Sequence, residues 1–296
     1  MFDRGFVAVD WGTTNRRAWM IDAAGVAGPP MVDGDGILNV IDFPASVAEL
    51  RDRADGKPLL MAGMIGSNRG WREVAYVAAP AGLAEVTAAV TWVEPGVGII
   101  PGVSFIDGDL RADIMRGDEV ALIGACAAAV VECDGLVCHP GTHTKWVEME
   151  AGRIARFRTV MTGDVFAALA NKSILSDLLV HPAPIDDAFL AGVDHALANV
   201  DLTAELFAAR ARVILGKAEA IHTASYVSGL LIGSDVRIGL GRLRADVVPV
   251  LGAPALTARF AAALARAGRS AVERDGDAAF VAGMCAIAAA HRGVRP

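Results

Sequence analysis

Apolar residues fall along this chain in short runs that break at polar, glycine-bearing turns. Phe6 to Asp22 reads FVAVDWGTTNRRAWMID, an apolar run ending near Asp10, a turn of Gly12, Thr13 and Thr14, and a second apolar run. That pattern predicts strand, tight turn, strand. Val26 to Val32 predicts a third strand, and Ser46 to Arg53 a short helix with Ser46 as its cap. Leu59 to Gly66 reads as a buried strand that runs into the polar loop SNRGW, with short strands at Val90 to Val93 and Gly98 to Pro101. Pro, Gly and Asp residues between Pro101 and Arg111 read as a linker, with a domain boundary near Gly108.

The second half reopens with a helix over Asp118 to Glu132 and strands at Leu136 to Cys138, Lys145 to Met149 and Ile154 to Val160. Helices follow around Asp164 to Leu178, Ala188 to Ala198, Ala204 to Leu215 and Glu219 to Leu231. Val247 to Leu251 is a further buried strand, and helices over Pro254 to Ala267 and Asp277 to His291 complete the pattern. Each half opens with a β-meander and finishes with α/β units. The expectation is two domains, 1–107 and 108–296, with a cleft between them as the place for a ligand.

Composition narrows the classes. The chain has 296 residues, 54% hydrophobic and 21% charged, enough for a core in each of two domains. A net charge of −7 argues against nucleic acid or an anionic membrane as partner. An anionic substrate would then need arginines gathered at its site. The segment MFDRGFVAVD has no apolar signal region, so a cytoplasmic location is expected, and the longest charge-free mid-chain run, Val120 to Val131, is too short to span a bilayer. Cys126, Cys133, Cys138 and Cys285 share no paired spacing and read as reduced core thiols. Cys138, His139 and His143 lack a second ligand pair, so no metal cluster is expected there.

Five segments carry candidate chemistry. At the first turn, Gly12 flanked by Thr13 and Thr14 lets backbone N–H and hydroxyl groups converge as in a phosphate-binding turn. Asp10 at its edge suits Mg²⁺, which takes oxygen ligands and keeps most of its waters. HPGTHTKWVEME repeats that logic, with Gly141, Thr142, Thr144 and Lys145 in a turn that opens a strand and therefore is not a Walker A loop. In MRGDEVALIGA, Asp118 and Glu119 stand at a helix start, where acids cap free N–H groups; one of them is a candidate general base. VVPVLGAPALTARF places Gly252, Ala253 and Pro254 between a strand and a helix, where a flat base could approach the backbone. AGMIGSNRGW gathers Ser67, Asn68, Arg69 and Trp71, a mix that fits a polyhydroxy acid.

DWGTTNRRAW resembles the first phosphate motif of the sugar kinase, Hsp70 and actin superfamily, and GTHTKW takes its second phosphate position. The whole chain resembles the 2-dehydro-3-deoxygalactonokinase family. MAGMIGSNRGW, IIPGV, MRGDE, PGTHTKWV, FRTVMTGDVF, SGLLIGSDV, LGAPALTARF and GDAAFVAG follow in the family's order. The resemblance implies an α/β fold of two ribonuclease-H-like domains, of the actin and sugar-kinase ATPase type, flanking an interdomain cleft. It implies ATP-dependent phosphorylation of 2-dehydro-3-deoxy-D-galactonate on its 6-hydroxyl, in galactonate catabolism.

By motif position, the resemblance implies that Asp10 organises Mg²⁺ through water, while Gly12, Thr13, Thr14 and Arg17 address phosphate. Gly141, Thr142, Thr144 and Lys145 do so from the second domain, and Gly252, Ala253 and Pro254 line the adenosine side. Related carbohydrate kinases carry Gly-Asp at a helix start, matching Gly117 and Asp118; Glu119 could take that register, and Asp164 in MTGD is a third candidate base. Ala253 departs from the family's usual double glycine. ATP is expected with its γ-phosphate between Thr13 and Thr142. The substrate carboxylate is expected at Arg69 first and Arg116 next, with a homo-oligomer left open. The rival readings are a kinase of this fold for another sugar, polyol or aldonic acid, and a non-catalytic nucleotide-switched relative of actin or Hsp70.

Overall fold

A computed structural model describes residues 2–241 and 245–293. Contacts divide the chain into two units. The first comprises the chain through Asp134, the segment Glu148–Phe157 and everything from Gly276 onward; the second comprises Gly135–Val147 and Arg158–Asp275. The dividing point is therefore not at Gly108. Val103–Ile106 and Ala112–Met115 pair antiparallel across the expected linker. Its Asp and Gly residues form a tight turn, in which the Asp107 carboxylate accepts from the N–H groups of Asp109 and Arg111.

The first unit is built on β1 (Phe6–Trp11), β2 (Arg16–Ile21), β3 (Met31–Asp33), α1 (Phe43–Asp52), β4 (Leu59–Gly63), β5 (Val77–Ala78), α2 (Leu83–Ala88), β6 (Thr91–Glu94) and β7 (Val97–Ile99). The pair described above forms β8 and β9, and α3 (Asp118–Ala127) follows. Its main sheet runs β3-β2-β1-β4-β7-β6. The predicted hairpin is present as β1 and β2, with Asp10 opposite Arg17, and β4 joins β1 in parallel. Val7, Val9, Trp11, Leu59, Met61 and Ile99 pack beneath α1, which offers Val47 and Leu50. The helix begins earlier than expected: Asp42 caps it by accepting from Ala45 N–H, and Ser46, inside it, accepts from Arg16 instead.

The second unit holds β10 (Gly135–His139), β11 (Thr144–Glu150) as far as Val147, β12 (Arg153–Val160) from Arg158 on, α4 (Thr162–Lys172), α5 (Asp187–Ala198), α6 (Leu202–Ile214), α7 (Thr223–Leu240), β13 (Val247–Gly252), α8 (Pro254–Arg266) and β14 (Ser270–Asp275). Their sheet order is β12-β11-β10-β13-β14. β14 is absent from the sequence reading because SAVERD is short and half charged; it is held by parallel pairing with β13. The last helix, α9 (Gly276–Gly293), groups with the first unit.

Helix α3 stops at Ala127 rather than Glu132, and the chain doubles back as Val130 and Val131 donate to Ala125 O. The reversal brings Cys126 and Cys133 to a Cα separation of 5.2 Å, where they form a disulfide. That corrects the expectation of four reduced thiols; Cys138, which is buried, and Cys285, which is half-buried, are outside any disulfide.

Both units contain a helix pair that meets backbone to backbone. In the first, a Cβ on Gly283 of α9 would lie 2.0 Å from Val120 O, and one on Gly124 of α3 would lie 2.0 Å from Ala279 O. In the second, a Cβ on Gly229 of α7 would lie 2.0 Å from Phe189 O of α5. Alanine in a helix ordinarily gains about 1 kcal/mol over glycine, but here the added methyl has no space. Gly283→Ala is expected to destabilise by about 1–3 kcal/mol net, the cost of overpacking a rigid contact. A drop in urea midpoint at unchanged m-value tests it, and a midpoint at or above the parent's would contradict it.

Candidate active site

Gly12 N–H donates to Asn15 O at 2.9 Å and closes the first turn, leaving Thr13 and Thr14 exposed at its tip. Behind the tip, Leu38 N–H donates to Thr13 O, and Gly36 lies so close that a Cβ would sit 2.2 Å from the Thr14 carbonyl carbon. This supporting loop is tethered by Arg16, whose buried guanidinium donates to Asp33, Asp35 and Ser46 and lies over the Trp11 ring. Trp11 Nε1 also donates to Asp35 O at 2.6 Å. The turn is therefore a fixed feature rather than a loose hairpin end.

Asp10 sits at the end of β1 and accepts from Arg17 Nε at 3.2 Å and from Nη2 at 2.5 Å. The third guanidinium nitrogen donates to Asp277 at the start of α9, at 2.5 Å. Burial pushes the Asp10 carboxyl above its usual range, with Arg17 opposing and Asp118 and Asp277 adding to it. Arg17 is thus engaged by two carboxylates, which differs from a guanidinium directed at phosphate. Asp277 had been read only as a helix start in GDAAFVAG.

Two glycines let α3 approach this corner. Gly63 and Gly117 have φ of 88° and 100°, and a Cβ on Gly117 would lie 3.2 Å from the Gly63 Cα and 3.9 Å from Asp10 Oδ1. Asp118 follows directly, partly exposed and within the field of Asp10. Glu119 differs: it is fully buried, and both its carboxyl oxygens accept from Gly117 N–H, at 2.9 and 2.8 Å. Burial pushes its carboxyl up to about 8. It fixes the strained glycine before Asp118 and has no open route to a substrate hydroxyl.

Around the SNRGW loop, the Ser67 hydroxyl donates to Met64 O and accepts from Arg69 N–H, so it shapes the turn. Asn68 and Arg69 are exposed, and Trp71 packs against the core. Arg116 is the half-buried cation here. Its Nη2 donates to Val74 O at 2.7 Å and its guanidinium lies 4.2 Å from the Tyr76 ring centre, but buried Nε and Nη1 have no hydrogen-bond partner among the described residues.

In the second unit, Gly141 and Thr142 form the turn between β10 and β11, against the start of α4. A Cβ on Gly163 would lie 2.9 Å from the Thr142 Cα, and Asp164 N–H donates to Thr142 O. Asp164 also lies 3.5 Å from His143. Thr144 is buried, and Lys145 is buried with its Nζ donating to His143 O at 3.3 Å. Beneath them, Asp235 on α7 accepts from Trp146 Nε1 at 2.6 Å and Thr162 Oγ1 at 2.5 Å. Burial pushes its carboxyl to about 6, against those donors. An acid inside the apolar helix SGLLIGSDV was the sequence signal for this anchor.

Gly252 ends β13, with Ala253 and Pro254 exposed before α8. Nearby, a cavity of about 200 Å³ is lined by Gly141, Phe166, Ser228, Leu231, Leu256 and Arg259, among others. Arg259 donates to Ser228 Oγ at 3.3 Å, and burial lowers its pKa. Phe166, Ser228 and Arg259 escape a motif reading because helical spacing alone does not tell a cavity wall from core.

The family profile for 2-keto-3-deoxy-galactonokinase matches residues 10–287. The chain belongs to that family. The 2-dehydro-3-deoxygalactonokinase of Escherichia coli (strain K12) is 34% identical over 287 residues, covering 96% of this chain and 97% of that protein. A crystal structure assigned as a 2-dehydro-3-deoxygalactonokinase from Sinorhizobium meliloti is 31% identical, with a TM-score of 0.88 over 98% of this chain and 99% of its own. In fold alone, the likeness extends to the activator of 2-hydroxyisocaproyl-CoA dehydratase from Clostridium difficile, at 11% identity and a TM-score of 0.51 over 99% and 98% of the two chains. This member of the 2-keto-3-deoxy-galactonokinase family thus has the α/β fold that the sequence leads one to expect. Among the described residues no helix is long and apolar enough to cross a membrane.

Glu119 gives the kinase-family site a measurable pH dependence. Its carboxyl holds a proton more tightly folded, at about 8, than at its ordinary 4.5. The associated stability is therefore complete below about 4.5 and is lost as pH rises through about 8, with a slope of up to about 1.4 kcal/mol per pH unit. Asp235 acts with the same sign between 3.8 and about 6. In Glu119→Gln, urea midpoints between pH 6.5 and 8 are expected to vary less than the parent's; an equal pH slope would refute the burial argument.

Proposed function

We propose that this chain transfers the γ-phosphoryl group of ATP to the 6-hydroxyl of 2-dehydro-3-deoxy-D-galactonate, giving the 6-phosphate and ADP in cytoplasmic galactonate catabolism. Family membership supports the kinase and its substrate class. The observation that carries the acid specificity is Arg116, a half-buried cation one residue before the Gly-Asp pair whose Nε and Nη1 have no hydrogen-bond partner among the described residues. A carboxylate is the counter-ion that such a guanidinium pairs with through a charge-assisted hydrogen bond. This reading prefers Arg116 to the exposed Arg69, reversing the order taken from sequence.

In the proposed mechanism Asp118 is the general base. It accepts the 6-hydroxyl proton as that oxygen forms its bond to the γ-phosphorus and the bond to the β-bridging oxygen breaks, releasing ADP. Glu119 and Gly117 position Asp118, while Arg17 and Asp277 position Asp10. Gly12, Thr13 and Thr14 of the first unit, and Gly141, Thr142 and the start of α4 in the second, offer N–H and hydroxyl donors to phosphate. Thr144 and Lys145, being buried, hold the second turn in shape. Gly252, Ala253 and Pro254, with the cavity beside Arg259, take the adenosine.

The donor set also fits Mg²⁺. Asp10 is a hard oxygen donor with Asp118 and Asp277 in its field. That suits an ion bound by one protein carboxylate, largely through water and phosphate. When bound, it would offset charge on the transferring phosphoryl group.

Kinetics of three variants separate these roles. Asp118→Asn is expected to lower kcat by about 10²-fold or more, the range for losing a general base, with little change in either KM. Arg116→Gln is expected to raise the KM for the sugar acid by about tenfold or more while kcat changes less. Arg259→Gln should raise the KM for ATP alone. Coupled detection of ADP over a panel of sugars, polyols and aldonic acids tests the substrate; faster turnover of another member, or ATP hydrolysis independent of any of them, would overturn the assignment.

A further inference from the structure

Two of the turns assigned to ATP leave the same end of one sheet. β10 ends at His139 and runs into Gly141 and Thr142, and β13 ends at Gly252 and runs into Ala253 and Pro254. The strands are parallel neighbours with Cys138 opposite Val250, so both turns emerge at strand carboxyl ends, where open α/β sheets take their ligands. The turns also touch. A Cβ on Gly252 would lie 3.4 Å from Pro140 O and 3.6 Å from Pro140 Cγ. Gly141 of one turn, and Leu256 and Arg259 beyond the other, line the same cavity.

Backbone pairing alone does not hold this junction. Among the described residues the register between β10 and β13 is the single pair Cys138 and Val250. Pro140 on one strand and Pro249 on the other have no N–H with which to extend it. The His139 imidazole supplies a donor instead: its Nδ1 lies 2.5 Å from Leu251 O. A carbonyl oxygen only accepts, so the ring carries a proton on Nδ1 and donates it across to β13. From the other side, Thr257 Oγ1 on α8 lies 2.5 Å from a Glu273 carboxylate oxygen on β14, and 3.1 Å from Pro254 O. The adenosine turn is thus braced by Thr257 and joined to the phosphate turn through His139.

We infer that His139 is a positioning residue for ATP: its bond to Leu251 O sets the separation between the Gly141–Thr142 turn and the Gly252–Pro254 turn, so that one nucleotide reaches both. The inference rests on the assignment of those turns made above. A ligand that spans two subsites gains from the second only if their spacing matches its own length. Holding that spacing is a task for a group at the strand ends, which is where His139 stands.

The test compares ATP with its separate parts. In His139→Leu the KM for ATP is expected to rise about tenfold, while kcat and the KM for the sugar acid change less than about twofold. Adenosine and inorganic tripolyphosphate, each competing with ATP, are expected to keep inhibition constants within about twofold of the parent's, because each needs one turn only. His139→Asn, whose amide N–H₂ takes the place of Nδ1, is expected to recover most of the ATP affinity. Should His139→Leu not fold, the same comparison is made between His139→Asn and His139→Gln, whose amide takes the place of Nε2 and is expected to show the loss. An unchanged KM for ATP, an equal rise for the sugar acid, a parallel loss for both fragments, or a His139→Asn no better than the other variant overturns the proposal. Failure of the turn assignment is seen separately, in the parent protein: neither fragment would compete with ATP there, and the proposal falls with it.

Discussion

One guanidinium holds together three parts of the first unit. Arg17, on the second strand, bridges Asp10 on the first and Asp277 at the start of the last helix. The residues it joins are separated by 260 positions in sequence. Removing either carboxylate leaves the other in an altered field, and removing the arginine leaves two acids facing each other at half-buried positions. Such a triad is weak evidence for stability, because desolvation offsets much of the attraction. Its value is geometric: it fixes a carboxylate beside the Gly12–Thr14 turn.

Around that corner the same logic recurs with different chemistry. Glu119 secures Gly117 through its backbone N–H, and Asp235 secures the β11–α4 junction through an indole and a hydroxyl. In both cases a buried acid sets the position of the backbone or side chains beside it. Their raised pKa values come from burial, and that burial is what makes them rigid.

Much of this was legible in the residues. The first hairpin, with Asp10 opposite Arg17, follows from apolar runs flanking GTTN, and the second turn follows from the same pattern at PGTHTK. Position within those turns was legible too, because Gly and Thr have few other reasons to cluster there. What stayed hidden depends on long-range contact. Asp277 reads as an ordinary first-turn acid until α9 is seen beside β2. Glu119 and Asp118 are neighbours with the same chemistry, and only burial distinguishes them. The Asp107 turn was mistaken for a linker because turn residues and linker residues are the same types. Cys126 and Cys133 showed no paired spacing because a chain reversal, not a motif, brings them together.

The glycine contact between α3 and α9 has a consequence for how the molecule is assembled. The groove that receives Gly283 is formed by residues synthesised long before α9 emerges from the ribosome, with nearly all of the second unit in between. Until then, Val120 and Gly124 present a backbone surface shaped for a helix that does not yet exist. The second unit, apart from the excursion through Glu148–Phe157, has its whole sequence available first. The unit encoded in the middle of the chain therefore has its full sequence before the one that begins the chain receives its final helix.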